Sequence, residues 1–508
     1  MFNRRAFCAA LIPLALALAG CAHHPPSNTA TVLIESSPNS LDPRIGTDSQ
    51  SERIDALIFD SLVQRNDHFG IDPDLATSWQ IRDPHTYIFH LRAGVHFQDG
   101  RPFTSRDVKW TLDSILNGTI VSIKAGAYKY ISGIDTPDPA TVILHLSQPD
   151  PGLLWNLCNA GIGIVPYGSG RDFWRHPIGT GPYRFVSQET DIDVVLERSP
   201  NYWGSQPHIQ RLQFNVVPDA TTRALELEKG SADVAVNALS EDMVDALRQR
   251  PNLVVEDGPG SEIEYLVFNL RNPILKDVRI RRAIAQAINR PLIIHSLLRG
   301  RARPANSLLP MQHWAWTADT EKYPYNPAAA NALLDQAGYK RGPNGIRFHI
   351  GIKTSTDETT RLFAIVLQQE LAKIGIALDL RSYEFATFYA DLTRGVFDMA
   401  PSRWIGGNEQ PDIFRYAYSS ASFPPHGSNR GFYSNPRLDS LLKDASETLD
   451  QSKQRADYIQ VQQILARDLP NIDLWYLDTV IVHTRRLTNV HASPSGDFQF
   501  LRSAQITP

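Results

Sequence analysis

Residues 348–380 constrain this chain most, because they read as a strand, a helix and a second strand in direct succession. Phe348, Ile350 and Ile352 alternate with polar or small residues, which places one set of side chains on one face of a strand. A helical pattern fills residues 358–373, Gly375 supplies the stop, and residues 376–380 return to strand. Two strands joined by a helix of that length pair in parallel through a right-handed crossover. A parallel sheet must be covered on its faces, so the expected class is α/β. Asn326 and Pro327 start a further helix that Gly338 ends. No internal repeat or low-complexity block interrupts the 508 residues, a length at which a core is large enough without covalent staples.

Asn3, Arg4 and Arg5 precede an apolar run over residues 6–19 that is too short to span a bilayer and contains Pro13. It reads as a secretory leader. The run ends in Leu18, Ala19, Gly20 and Cys21, the arrangement in which bacterial lipoproteins attach a diacylglycerol to the cysteine and lose the leader before it. Residues 1–20 are therefore expected to be a signal peptide, Cys21 the lipidation site, and residues 21–30 a flexible polar tether with solvated His23 and His24. The chain has three cysteines, at positions 8, 21 and 158, and processing would leave only Cys158 free. No internal disulfide is then possible, and the apolar neighbours of Cys158 predict a packed, inert thiol.

The formal net charge is −4 and no basic run exceeds residues 279–282, which argues against a nucleic-acid partner. Ile280, Ala283, Ile284, Ala287 and Ile288 share one helix face, assigning the neighbouring arginines and Gln286 to the solvated side. No second long apolar segment follows the leader, and no P-loop pattern occurs. In any transport role, other subunits would supply pore and energy. There is no G-x-S-x-G or H-E-x-x-H, and His85, His90 and His96 fall on a strand and turn with mixed facing. An envelope hydrolase is the rival class, and nothing in the pattern supports it.

Three motifs stand in fixed order: H-P-I-G-T-G-P-Y-R-F from His176, N-Y-W-G-S-Q-P-H-I from Asn201, and E-K-G-S-A-D-V ending at Val234. Their local chemistry is that of turns. Gly179 and Gly181 allow positive φ, Pro182 fixes a bend, and Tyr202 and Trp203 offer large flat side chains. Upstream, a strand beginning T-V-L-I runs into a turn at Asn39, Ser40, Leu41, Asp42 and Pro43. Residues 85–91 alternate as a strand, and an Asp99-Gly100 turn leads into a helix capped by Thr104 or Ser105. In this order the chain resembles the family 5 extracellular solute-binding proteins of ABC transporters, nearest their dipeptide and oligopeptide branch. The resemblance covers almost everything after the leader.

It implies the two-lobed type II periplasmic binding protein fold of the large, three-subdomain class, with a ligand cleft between the lobes. Lobe I would hold residues 31–265, with a core at 31–50 and 170–265 and an inserted subdomain at 51–169. Lobe II would hold residues 266–480, and residues 481–508 would return to lobe I. The two crossing segments are expected at residues 265–270 and near 477–483.

Ligands of open α/β sheets bind beyond the carboxyl ends of strands. A strand predicted over residues 396–402 runs into Arg403, Trp404, Ile405, Gly406, Gly407, Asn408 and Glu409. Trp404 offers a stacking plane, the glycines allow close backbone approach, and Asn408 and Glu409 offer polar contacts. The resemblance implies an aspartate three residues after the tryptophan, paired with the ligand's α-amino group, but Gly407 stands there. Either Glu409 substitutes or the ligand has no free amine at that point, since an unpaired buried ammonium is costly. The resemblance also implies ligand contacts in the first lobe at Thr47, Asp48 and Ser49, and it puts Lys353 near where related dipeptide binders place an arginine for the ligand carboxylate.

The expected function is capture of a peptide or peptide-like ligand by lobe closure and delivery to the permease and ATPase subunits of an ABC importer. The protein would act as a monomer on the extracytoplasmic or periplasmic face of the cell envelope, touching the membrane through its lipid anchor only. No cofactor and no metal is expected. A metal chelate, haem, sugar or opine as ligand, or a sensor role on the same fold, are the alternatives.

Overall fold

The computed structural model describes residues 28–507 apart from 159–160, 406 and 425–426. The leader, Cys21 and most of the tether lie outside the described residues.

Among the described residues, eleven strands share one sheet that runs through both lobes. From the lobe II edge its order is Ile376–Tyr383, Phe348–Ser355, Met399–Trp404, Leu253–Phe268, Asn471–Thr484, Val234–Val236, Thr29–Ile34, Arg211–Val216, Asp193–Arg198 and Tyr183–Glu189, with Ala302–Pro304 beside Asn471–Thr484. The strand pair read from the sequence is there: Phe348–Ser355 pairs in parallel with Ile376–Tyr383, and the helix Glu358–Lys373 connects them. Gly375 stands at φ +83°, the left-handed conformation that releases the chain from the helix.

The two longest strands cross between the lobes and pair antiparallel. Leu253–Phe268 starts twelve residues before the crossing segment expected from sequence at Tyr265. Its ladder is regular from Leu253 to Pro259 and again from Ile263 to Glu264, and breaks between Pro259 and Ile263. Gly260 lies in that break, where a Cβ would come within 2.3 Å of the Leu477 carbonyl oxygen. The irregularity falls between the lobes, the place where a sheet shared by two bodies can bend.

Each body has its own apolar core. Helices Val278–Ala287, Pro327–Gln336 and Glu358–Lys373 cover the lobe II strands, with Ile284, Leu334, Leu367 and Trp475 fully buried. In lobe I, Val32, Leu212 and Phe214 pack with Phe498, Phe500 and Leu501 from the C-terminal segment. A separate four-stranded antiparallel sheet, in the order Ala76–Asp83, Thr86–Leu91, Thr141–Leu146, Ile131–Asp138, carries the helix Ser105–Leu116 and a third core around Phe89, Leu112 and Leu144. Thr104 is the N-cap residue of that helix, and the Asp107 carboxylate accepts its amide at 2.8 Å.

Two readings of the sequence need correction. Arg281 is not on a solvated face: it is buried, and its guanidinium donates to the carbonyls of Leu469 (2.8 Å), Leu275 (2.6 Å) and Lys276 (2.9 Å). Helical periodicity cannot show that a neighbouring helix ends with free carbonyls over that position, as Gln451–Asp468 does. Gly179 and Gly181 are absent from the positive-φ glycines. Their requirement is space, because a Cβ at Gly179 would lie 2.0 Å from the Ile58 carbonyl oxygen and one at Gly181 would lie 2.6 Å from the Ile58 carbonyl carbon.

Candidate functional site

The carboxyl ends of Phe348–Ser355, Ile376–Tyr383 and Met399–Trp404 all open toward lobe I. Between the lobes lies a cavity of 490 Å³, within the range of small-ligand sites. Arg53, Asn237 and Ser240 line it from lobe I, Thr359, Arg403 and Ile405 from lobe II, and Ser261 and Glu262 from the crossing strand. The last strand begins at Met399 rather than Val396, which is half exposed behind the turn at Gly395 (φ +68°). Arg403 and Trp404 therefore stand at the strand's end, not beyond it.

Trp404 is stacked on Tyr265, with ring centroids 6.3 Å apart and planes 13° from parallel. The Arg430 guanidinium lies 5.6 Å from the same ring, and Tyr416 meets it edge-on at 6.2 Å. The indole is thus a fixed plane rather than a free flap. Arg403 bonds to Glu264 through Nε at 3.1 Å and contacts Glu262 at 2.9 Å. Gly407 opens the short 3₁₀ turn Gly407–Glu409. Asn408 is fully buried, and its amide donates to the carbonyls of Ser261 (2.6 Å) and Leu308 (2.9 Å), so it holds the turn to the crossing strand.

Glu409 is also buried, and it is engaged from the opposite lobe. Arg65, at the end of the strand Val63–Arg65, forms an ion pair with it, and the Ser261 hydroxyl donates to it at 2.7 Å. Arg65 also reaches Asp497 at 3.5 Å. Burial holds the Glu409 carboxyl above the usual carboxylate range, against the pull of Arg65 and Ser261. A second contact joins the bodies where Phe69 stacks on His313, 5.8 Å between centroids. Burial lowers the His313 imidazole to about 3, so it is neutral there.

Lys353 is occupied as well. Its ammonium donates to Asp391 at 2.6 Å and lies 5.3 Å from the centre of the Tyr383 ring. Asp48 is the N-cap of the helix Ser49–Ile58, accepting from the amides of Gln50 (3.1 Å) and Ser51 (3.0 Å). Thr47 and Ser49 beside it are exposed. Of the described site residues expected from the sequence, only Arg403 lines the 490 Å³ cavity; Trp404 follows it on the same strand, Asn408 and Glu409 are buried against the crossing strand and Arg65, and Asp48 and Lys353 have internal partners. Arg53, Ser261 and Glu262, which line the cavity, and Arg65, which pairs with Glu409, were not legible as site residues, because only the tertiary fold brings them to these places.

Cys158 is buried, and burial pushes its thiol up to about 12, which suits a packed residue rather than a nucleophile. No cluster of metal-ligating side chains is found among the described residues. No described helix is long and apolar enough to cross a membrane.

Two lobes around one cleft are the architecture of binding proteins that close on a solute. Residues 70–424 match the family described as bacterial extracellular solute-binding proteins, family 5 Middle, and the chain belongs to that family. It is a solute-binding protein of the ABC-transporter type and not an enzyme. Among its relatives, the dipeptide-binding protein of Escherichia coli is 26% identical over 473 residues, covering 87% of this chain and 88% of that one. Heme-binding protein A of Haemophilus influenzae is 27% identical over 449 residues, covering 81% and 80%. The structure of the binding protein DppA from Helicobacter pylori in complex with the peptide STSA superposes with a TM-score of 0.75 at 26% identity, covering 94% of this chain and 98% of that one.

Proposed function

We propose that this protein captures a peptide or peptide-like ligand in the 490 Å³ cavity and delivers it, by closure of the lobes, to the permease and ATPase subunits of an importer. The observation that carries this reading is that both lobes and the crossing strand contribute polar groups to one ligand-sized space. Lobe I at residues 31–265, with its insert at 51–169, moves against lobe II at 266–480, and residues 481–508 belong with lobe I. The bend lies at the ladder break between Pro259 and Ile263. Arg403 lines the cavity, Trp404 next to it on the same strand offers a flat ring, and Asn408 ties the following turn to the crossing strand. Cys21 carries the lipid that tethers the protein, as a monomer, to the extracytoplasmic face of a membrane.

Native mass spectrometry of protein purified without denaturation tests the ligand class. A bound species of peptide mass that is released unchanged on unfolding supports the reading. A haem or a metal chelate in its place defeats it. That second reading has one observation in its favour: the position where the resemblance implies an amine-anchoring aspartate is Gly407.

A further inference from the structure

Arg53, on the helix Ser49–Ile58, faces the cleft with its guanidinium 5.6 Å from the centre of the Phe498 ring. Among the described residues it makes no hydrogen bond and no ion pair. The carboxylates in its field are Glu35, Asp497 and Glu262, and the first two have other partners. Glu35 accepts from Gln50 at 2.6 Å, and Asp497 accepts from Ser495 at 2.6 Å and from the Gln499 amide at 3.1 Å. A guanidinium has five donors in a rigid fork that matches a carboxylate, and here the fork lies open on a cavity.

The complementary excess is on the crossing strand. Arg403 is shared by two carboxylates, Glu262 and Glu264. Glu264 is further satisfied by the Trp475 indole at 2.6 Å. Glu262 is left with Oε1 buried at 2.9 Å from Arg403 but without the alignment of a hydrogen bond. Of the remaining acids of the cavity wall, Asp242 pairs with Arg299, Asp478 with Arg303, and Glu241 with Arg301, which also holds Asp245 outside the cavity. Once these are paired off, the cavity keeps one cation on lobe I and one surplus anion on the crossing strand.

We propose that Arg53 receives the carboxylate of the ligand and Glu262 its ammonium group, so that the cleft selects zwitterions with free amino and carboxyl ends. This takes the roles that Lys353 and Glu409 cannot fill while they are bound to Asp391 and Arg65. It rests on the peptide reading of the cleft.

The test is calorimetric titration of the refolded, ligand-free full chain with dialanine, dialanine amide and N-acetyl-dialanine, using the wild type, Arg53→Gln, Arg53→Lys and Glu262→Gln. We expect Arg53→Gln to weaken dialanine by ~10-fold or more and to leave the already weak amide unchanged. Arg53→Lys should fall between, because it keeps the charge and loses the fork. Glu262→Gln should weaken dialanine and the amide but not the N-acetyl form. Unaltered dialanine affinity in Arg53→Gln, or equal losses for all three peptides, overturns the assignment while the peptide reading stands. If the wild type binds none of the three, the peptide reading and the assignment fall together.

Discussion

Arg65 and Glu409 form a buried ion pair that joins the two lobes, with Ser261 of the crossing strand as its third member. Neither residue belongs to a hydrogen-bonded ladder shared with the other, and 344 positions separate them. Closing the lobes removes both charges from water, which is tolerable only because they meet. Glu409→Gln would leave Arg65 facing Asp497 alone, with a cost to the closed form of roughly 3 kcal/mol at the lower end for broken buried pairs. We expect a larger radius of gyration for this variant without ligand, measured by small-angle X-ray scattering. A scattering curve that superposes on the wild type would rule out a latch.

Trp404 and Lys353 should behave differently on substitution, although the sequence suggested both as ligand contacts. Trp404→Ala removes the ring stacked on Tyr265 next to Arg403 and is expected to weaken ligand binding by about tenfold, a typical loss for a buried aromatic anchor. Lys353 is held by Asp391, so Lys353→Met should change affinity by less than about twofold and lower the melting temperature instead. A large affinity loss in Lys353→Met would return that lysine to the ligand.

Asp74 makes stability depend on pH. It is buried with Asp60 nearby, and burial first and Asp60 second raise its carboxyl from 3.8 to about 8. Between those values the folded chain binds a proton that the unfolded chain has lost, so this group's contribution to stability falls as pH rises from about 4 to about 8. Asp74→Asn keeps an acceptor for the Ser61 amide and removes the titration. Its melting temperature should exceed the wild type at pH 8.5 and equal it at pH 4. A constant difference across that range would count against the assignment.

Gly179→Ala should destabilise by about 1–3 kcal/mol, the usual result of forcing a methyl into filled space. The added Cβ would sit 2.0 Å from the Ile58 carbonyl oxygen, a backbone atom that cannot turn away. Gly126→Ala is the control, because nothing lies within 4 Å of its Cβ position. Urea midpoints should separate the two variants, and equal midpoints would show that the Gly179 turn can relax.

The amino-acid sequence determined most of the fold. Alternation at Phe348, Ile350 and Ile352, the stop at Gly375 and the cap at Thr104 act over a few residues, and such local rules leave a readable pattern. It also drew attention to Trp404, Asn408 and Glu409, because a strand that ends in an aromatic and glycines has few other uses at a sheet's carboxyl edge. The tertiary structure alone decided what those groups do. Glu409 is committed to Arg65, Lys353 to Asp391, and Asp48 to its own helix, while Arg53 faces the cleft without a hydrogen bond or ion pair among the described residues. The role of a charge depends on which opposite charge lies within a few ångströms, and chain folding sets that distance between residues hundreds of positions apart.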